Sequence, residues 1–304
     1  MNPSSQRQPS TTHLRESFAK RFPDTRSCVD ILFRTRWPEG FQCPYCLRPQ
    51  PHIQPAALIT CSKCGQRTSI TSKTIMHGTK KSLLEWLLAI WWLCDHNTTS
   101  SAKNLQRLLN LPSYQTAWTW LQKLRMAMGV ADNRLCRGVV EISCRAISPA
   151  WERQQQGLVI CGAEVILQSG ITGLIRMQVI PELSSSTVAD FLLHIQPGAT
   201  LVVPPLDPYM NIKQLGYTCV INSGETNPFR ADDLINSFEI WLNRVHRGGV
   251  TLKHLQLYIN EFCFCNNSTM LADQDAVFKQ LLSGVMGLKP KSYKELVGAK
   301  GPTP

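Results

Sequence analysis

Apolar residues recur at three- and four-residue spacing through the first 130 positions, then in alternation and short β-branched runs from about residue 138. The chain therefore reads as a helical half followed by a strand-rich half. The densest apolar run, "LLEWLLAIWWLC" at 83–94, has the length of a core helix and is too short to cross a bilayer. Periodicity predicts helices near 14–22, 30–36, 81–94, 99–109 and 113–129. The last carries Ala117, Trp120, Leu121, Leu124 and Met128 on one stripe, with Gln115, Thr119, Gln122 and Lys123 off it. Ser113 stands where an N-cap is needed.

The second half predicts strands near 138–146, 157–167, 171–180, 200–204 and 217–221. Helices are expected near 186–196, 209–215, 231–246, 251–264 and 271–286. The polar opening, residues 1–12, reads as disordered, and the basic segment 289–304 as a mobile tail. The expected organisation is a multidomain α+β and α/β chain, with a cysteine-containing module within 13–80, a helical section over 81–130 and a strand–helix domain over 137–288.

Charge sharpens that division. Residues 1–130 hold 17 Lys and Arg against 6 Asp and Glu, whereas residues 131–304 hold 15 of each. The whole net excess of +11 thus lies in the helical half. So basic a segment favours a polyanion partner, with nucleic acid ahead of a membrane surface because no amphipathic anchor is evident. No secretory signal opens the chain, and a cytoplasmic, nucleoid-associated location is expected.

Twelve cysteines are present, and four of them cluster as two C-x-x-C pairs, Cys43/Cys46 and Cys61/Cys64, separated by 14 residues. That spacing suits a closed tetrahedral Zn2+ site of four thiolates, structural rather than catalytic. Gly65 follows the second pair, where the turn must fold back. Cys94, Cys161, Cys219 and Cys263 lie among apolar residues and read as ordinary thiols. Around the cluster, Arg34, Arg36, Arg48, Lys63, Arg67, Lys73, Lys80 and Lys81 are candidate phosphate contacts. The helix order over 99–129 suits a helix-turn-helix reader of DNA, with Gln115, Thr119, Gln122 and Lys123 as candidate contacts.

Within the first strand, "GVVEIS", Glu141 is a charge among β-branched residues, and Ser143 shares its strand face. Here the residues carry a family resemblance. "LFRTRWPEGFQCPYC", "CSKCGQRTSITSKTIMHGTKKSLLEWLLAIWW" and "LPSYQTAWTWLQKLRMAM" resemble the N-terminal half of bacterial insertion-sequence transposases with a zinc ribbon. "GVVEIS", "YMNIKQLGY" and "VTLKHLQLYINEF" are similar to those enzymes' ribonuclease-H-like domain. The resemblance implies DNA transposition and recombination by a DDE-type phosphoryl transferase, with three carboxylates holding two divalent ions.

In this chain the positions that match those carboxylates are Ser143, Pro204 and Asn236, so the set is degenerate. Glu141, Asp207 and Glu239 are the nearest substitutes, and Mg2+ would be a cofactor only if they rebuilt the site. The resulting expectation is a DNA-binding relative of mobile-element transposases that lacks catalysis. Its partners would be element ends or related DNA, a second copy of itself, or an active related transposase, and no membrane. Two rivals remain: an active nuclease or transposase using displaced carboxylates, and a decaying gene product without a selected role.

Overall fold

The computed structural model describes residues 11–95, 100–147, 156–166, 171–205, 209, 212, 215–222, 230–246 and 250–298. They fall into two compact units, one formed by the residues up to Asp132 together with Leu271–Val297, the other by Asn133–Met270.

The first unit is built around α3 (Leu83–Leu93), whose residues from Trp86 to Leu93 are all buried. A helix apolar on every side must be enclosed, and its neighbours supply the enclosure. These are α1 (Thr11–Arg21), α2 (Thr25–Arg36), α5 (Tyr114–Ala131) and α9 (Gln274–Gly287), with α4 (Ala102–Leu108) packed on α5. Trp86 stacks on Trp120 at 3.8 Å, and Phe22, Trp91 and Phe278 form an edge-on aromatic group. The starts of these helices are set chemically. Asp24 with Ser27 and Ser82 with Glu85 form capping boxes, and Ser113 caps α5 as expected by accepting from the Thr116 amide at 3.1 Å.

Between α2 and α3 lie two small antiparallel hairpins, β1 (Phe41–Gln42) with β2 (Pro49–Gln50) and β3 (Leu58–Thr60) with β4 (Arg67–Ser69). They pair only two and three residues each.

Three boundary expectations are corrected. Helix α9 belongs to the first unit, not to the strand domain drawn over 137–288. Its apolar face of Val277, Phe278, Leu281, Leu282 and Val285 is buried there, and a Cβ at Gly284 would collide with the Ala127 carbonyl of α5. The segment assigned to a mobile tail contains a helix, α10 (Tyr293–Gly298), because Leu296 is buried and Trp118 meets Tyr293 edge-on. At the other end, Thr11 already opens a helix that the disordered reading of 1–12 cut short.

The second unit is a five-stranded mixed sheet in the order β7-β6-β5-β8-β9. Strands β5 (Val139–Ile147), β6 (Gly157–Ile166) and β7 (Ile171–Ile180) form an antiparallel meander, while β8 (Thr200–Val203) and β9 (Thr218–Ile221) continue parallel to β5. The parallel step needs a crossover, supplied in part by α6 (Ser185–Leu192). Both faces are apolar. Val140, Ile142, Ile160 and Leu201 pack with Val188 and Phe191 on one side. Ile147, Val159, Cys161 and Ile175 pack with α7 (Arg230–Val245) and α8 (Leu255–Ser268) on the other.

The edge strand β7 is sealed by side-chain amides of α8. Asn267 accepts from the Ile175 amide at 2.8 Å and donates to its carbonyl at 3.0 Å, while Gln256 accepts from the Val179 amide at 2.8 Å. The backbone groups that would invite another strand are thereby occupied. The sequence reading joined 251–264 into one helix; a short 3-10 turn, Leu252–His254, precedes α8 instead.

Candidate metal centre and the carboxylate positions

The two hairpins bring Cys43, Cys46, Cys61 and Cys64 together, their sulfurs all within 4.8 Å of one another. The Cys43 and Cys64 sulfurs are 3.7 Å apart, as are those of Cys46 and Cys61. Each C-x-x-C forms a tight turn, closed by the Leu47 amide on the Cys43 carbonyl and the Gly65 amide on the Cys61 carbonyl, both at 2.9 Å. Leu47 and Gly65 adopt positive φ of 59° and 72°, the left-handed step such turns require. Among the described residues this is the one group of metal-ligating side chains that could hold an ion.

Gln50, which the sequence reading missed, ties the two turns together. Its amide donates to the Cys61 sulfur at 2.8 Å, while its carbonyl oxygen accepts from the Ser62 amide and hydroxyl at 2.9 and 2.7 Å. Burial would raise the Cys61 thiol, but the Cys64 and Lys63 amides and the Gln50 side chain outweigh it and bring it down to about 6. Gln50→Ala is therefore expected to weaken metal binding roughly tenfold or more, the usual cost of losing a group that orients a ligand. Competition against a chromophoric chelator measures this, and unchanged affinity would count against the role.

The candidate phosphate contacts divide into two sets. Arg48, Lys63, Arg67, Lys73 and Lys80 are exposed, and Arg34 is exposed but paired with Asp30 at 2.8 Å. Lys81 pairs with Glu85 at 3.0 Å. Arg36 is a fastener, not a surface contact: its guanidinium donates to the Ser69, Ile70 and Ser72 carbonyls at 3.1, 2.5 and 2.6 Å and lies over the Trp37 ring. On α5, Gln115 is exposed, and Thr119 is half-buried and donates to the Gln115 carbonyl. Gln122 is fully buried, and Lys123 reaches the Ile75 carbonyl at 3.3 Å, its ammonium held below the ordinary lysine range by burial. The buried face of α5 is wider than its periodicity suggests and takes in Gln122 and Arg125 besides the apolar stripe.

In the second unit, β5 is the central strand and β8 its parallel neighbour, with Glu141 level with Val202. Continuing that register by two residues sets Ser143 level with Pro204. The first two matched positions are thus near one another, Ser143 in the middle of β5 and Pro204 just past the end of β8, and neither offers a carboxylate. Asn236 is exposed on α7. The acid that meets β5 is Asp232, one helical turn earlier, which accepts a hydrogen bond from the Ser143 hydroxyl at 2.5 Å. Glu141 is buried, and its carboxylate accepts from the Arg230 amide at 2.6 Å, at the start of α7. That is a favourable seat for an anion, since the first amides of a helix lack intrahelical partners.

The acid-bearing first turn, "RADDL", held the signal that would have found Asp232. Glu239 is half-buried on the same helix, and Asp207 lies outside the described residues. The groups around Asp232 stay protonated at neutral pH. Burial, and then the Asp232 charge, push the Cys144 thiol up to about 12, and burial followed by the Cys144 and Asp232 charges raises the Tyr209 phenol. No activated nucleophile is assembled here from the described residues.

No family model matches the chain, and no curated protein sequence matches it. Among the described residues no helix is long and apolar enough to cross a membrane.

Proposed function

We propose that this chain is a DNA-binding protein built on the plan of a zinc-ribbon insertion-sequence transposase, without the two-metal chemistry of such an enzyme. The observation that carries the reading is where charge and cysteines coincide: the +11 excess falls wholly within the first 130 residues, which also hold the four-cysteine cluster. The ion we assign to it is Zn2+. Sulfurs bonded to a tetrahedral ion at about 2.3 Å stand about 3.8 Å apart, close to the 3.7 Å separations across the cluster. A closed four-thiolate site leaves no open position for substrate, so its task is to hold a surface in shape. The ribonuclease-H-like reading of the second unit rests on the resemblance and draws support from its mixed five-stranded sheet, with Ser143 on β5 and Pro204 just past the end of its parallel neighbour β8.

One observation favours a second reading, an active enzyme with displaced ligands: Glu141 and Asp232 both converge on β5. Against it stands their engagement, one with a helix amide and one with Ser143. A single set of measurements separates the two. The metal-loaded full chain is expected to bind duplex DNA with an affinity that falls steeply with salt, log K dropping by about 0.9 per neutralised phosphate for each decade. It is also expected to leave the strands intact in Mg2+ or Mn2+. Salt-independent binding, or none, would overturn DNA binding; cleavage abolished by Glu141→Ala would establish the second reading. A genome-wide map of occupancy would then name the sites, element ends being the expected class.

A further inference from the structure

The stretch from Phe41 to Lys81 contains six Lys and Arg and no Asp or Glu. Within it, the two metal-binding turns present different side chains at the equivalent third position of each C-x-x-C: Tyr45 in the first and Lys63 in the second. Tyr45 is 56% exposed, and Leu47, just past Cys46, is 68% exposed. The ammonium of Lys73 lies 5.5 Å from the centroid of the Tyr45 ring, within the range of a cation–π contact. Lys73 itself adopts φ of 61°, a conformation that few side chains favour outside a constrained turn.

An aromatic ring held in the open between two metal ligands keeps little freedom to lose on binding, and the cations around it select an anion. The ligand that combines flat apolar faces with adjacent negative charge is a nucleotide whose base is out of its stack.

We propose that Tyr45 is a stacking platform for an unpaired base, with Lys73 and Lys63 neutralising the phosphates beside it, so that the module favours DNA carrying unpaired bases over fully paired duplex. This rests on the DNA-binding reading above and adds to it the form of DNA that is preferred. An acidic polypeptide would satisfy the cations but not the ring.

The test uses the metal-loaded full chain and two DNA probes of equal length, a blunt duplex and one carrying an unpaired 2-aminopurine at its end. The wild-type protein is expected to prefer the second probe and to change the 2-aminopurine emission on binding. Tyr45→Ala should lose that preference, roughly tenfold in affinity, with metal content and helical circular dichroism unchanged, since the side chain is exposed. Tyr45→Phe and Tyr45→Trp should retain it. Lys73→Ala should weaken both probes alike and lower the salt slope by about one. If both probes bind equally and Tyr45→Ala alters neither, the platform is overturned while DNA binding stands. If neither probe binds, the functional reading falls, and this inference with it. Poly-glutamate that competes as well as the unpaired probe would assign the surface to charge alone and overturn the platform.

Discussion

Stripping the metal from the intact chain is expected to unfold the cysteine module, to leave the helical core folded and to weaken DNA binding. The expectation follows from how little else holds the two hairpins. Their pairings span two and three residues, far below what an isolated hairpin needs for stability in water. The buried apolar side chains they contribute are few: Phe41, Ile59 and Ile70, besides the cysteines. Binding of a structural zinc ion supplies on the order of 10 kcal/mol, which becomes folding free energy where no preformed site survives unfolding. Two attachments outlast the metal. Phe41 remains against Trp37, and Arg36 remains bonded to the carbonyls at and just past the end of β4.

Loss of protection should therefore be steepest between Cys43 and Cys64 and fade toward both ends, while α3, α5 and α9 keep theirs. Hydrogen exchange with and without a chelator reads this segment by segment. Cys61→Ser should act as chelation does, because it removes a ligand together with the sulfur that Gln50 grips. DNA affinity unchanged after verified metal loss would remove the module from the binding surface. It would also break the link between charge and cysteines on which the functional reading stands.

Much of this was legible beforehand, and the misses share a cause. The C-x-x-C spacing located all four sulfurs because a tetrahedral site is a local demand, met by two short turns. Strand limits in the second half agree to within about a residue or two, since β-branched alternation is also local. What was missed depends on partners distant in sequence. Lys123 reads as a surface cation until the Ile75 carbonyl, 48 residues earlier in the chain, comes within its reach. Arg36 reads as a phosphate contact until three carbonyls at and just past the end of β4 come within its reach. Asp232 was passed over in favour of Asn236 because a one-turn shift along a helix leaves the sequence spacing plausible while moving the carboxylate by about 5 Å. Gln50 carries no motif at all; only the closure of the hairpins shows that its amide faces a sulfur.

Placing a carboxylate at the position that lacks one is expected to damage the second unit, and added cation is expected to repair it. Ser143 is 5% exposed and donates its hydroxyl to Asp232, with Glu141 two residues away on the same strand face. In Ser143→Asp the donor is replaced by a second anion directly against Asp232, a like-charge pair. The cost should be about 3 to 5 kcal/mol, the range for stranding a buried charge. Ser143→Ala, which only removes a donor, should cost about 1 to 3 kcal/mol.

The sign of the pH dependence follows from which form the fold prefers. Crowding against Asp232 favours the protonated form of the introduced carboxyl, so its folded pKa lies above its unfolded value of about 3.9. The deficit is therefore small in acid and grows as pH rises through and above the ordinary carboxylate range. A divalent ion offers the other relief: Mn2+ should raise the melting temperature of Ser143→Asp and leave the wild-type protein unmoved, because its two carboxylates are already engaged by an amide and a hydroxyl. Thermal denaturation across pH, with and without Mn2+, decides the matter. A wild-type protein stabilised by millimolar Mn2+, or a variant as stable as wild type without it, would mean that Ser143 does not stand where a metal ligand would. The proposed absence of two-metal chemistry would then lose its support at the first matched position.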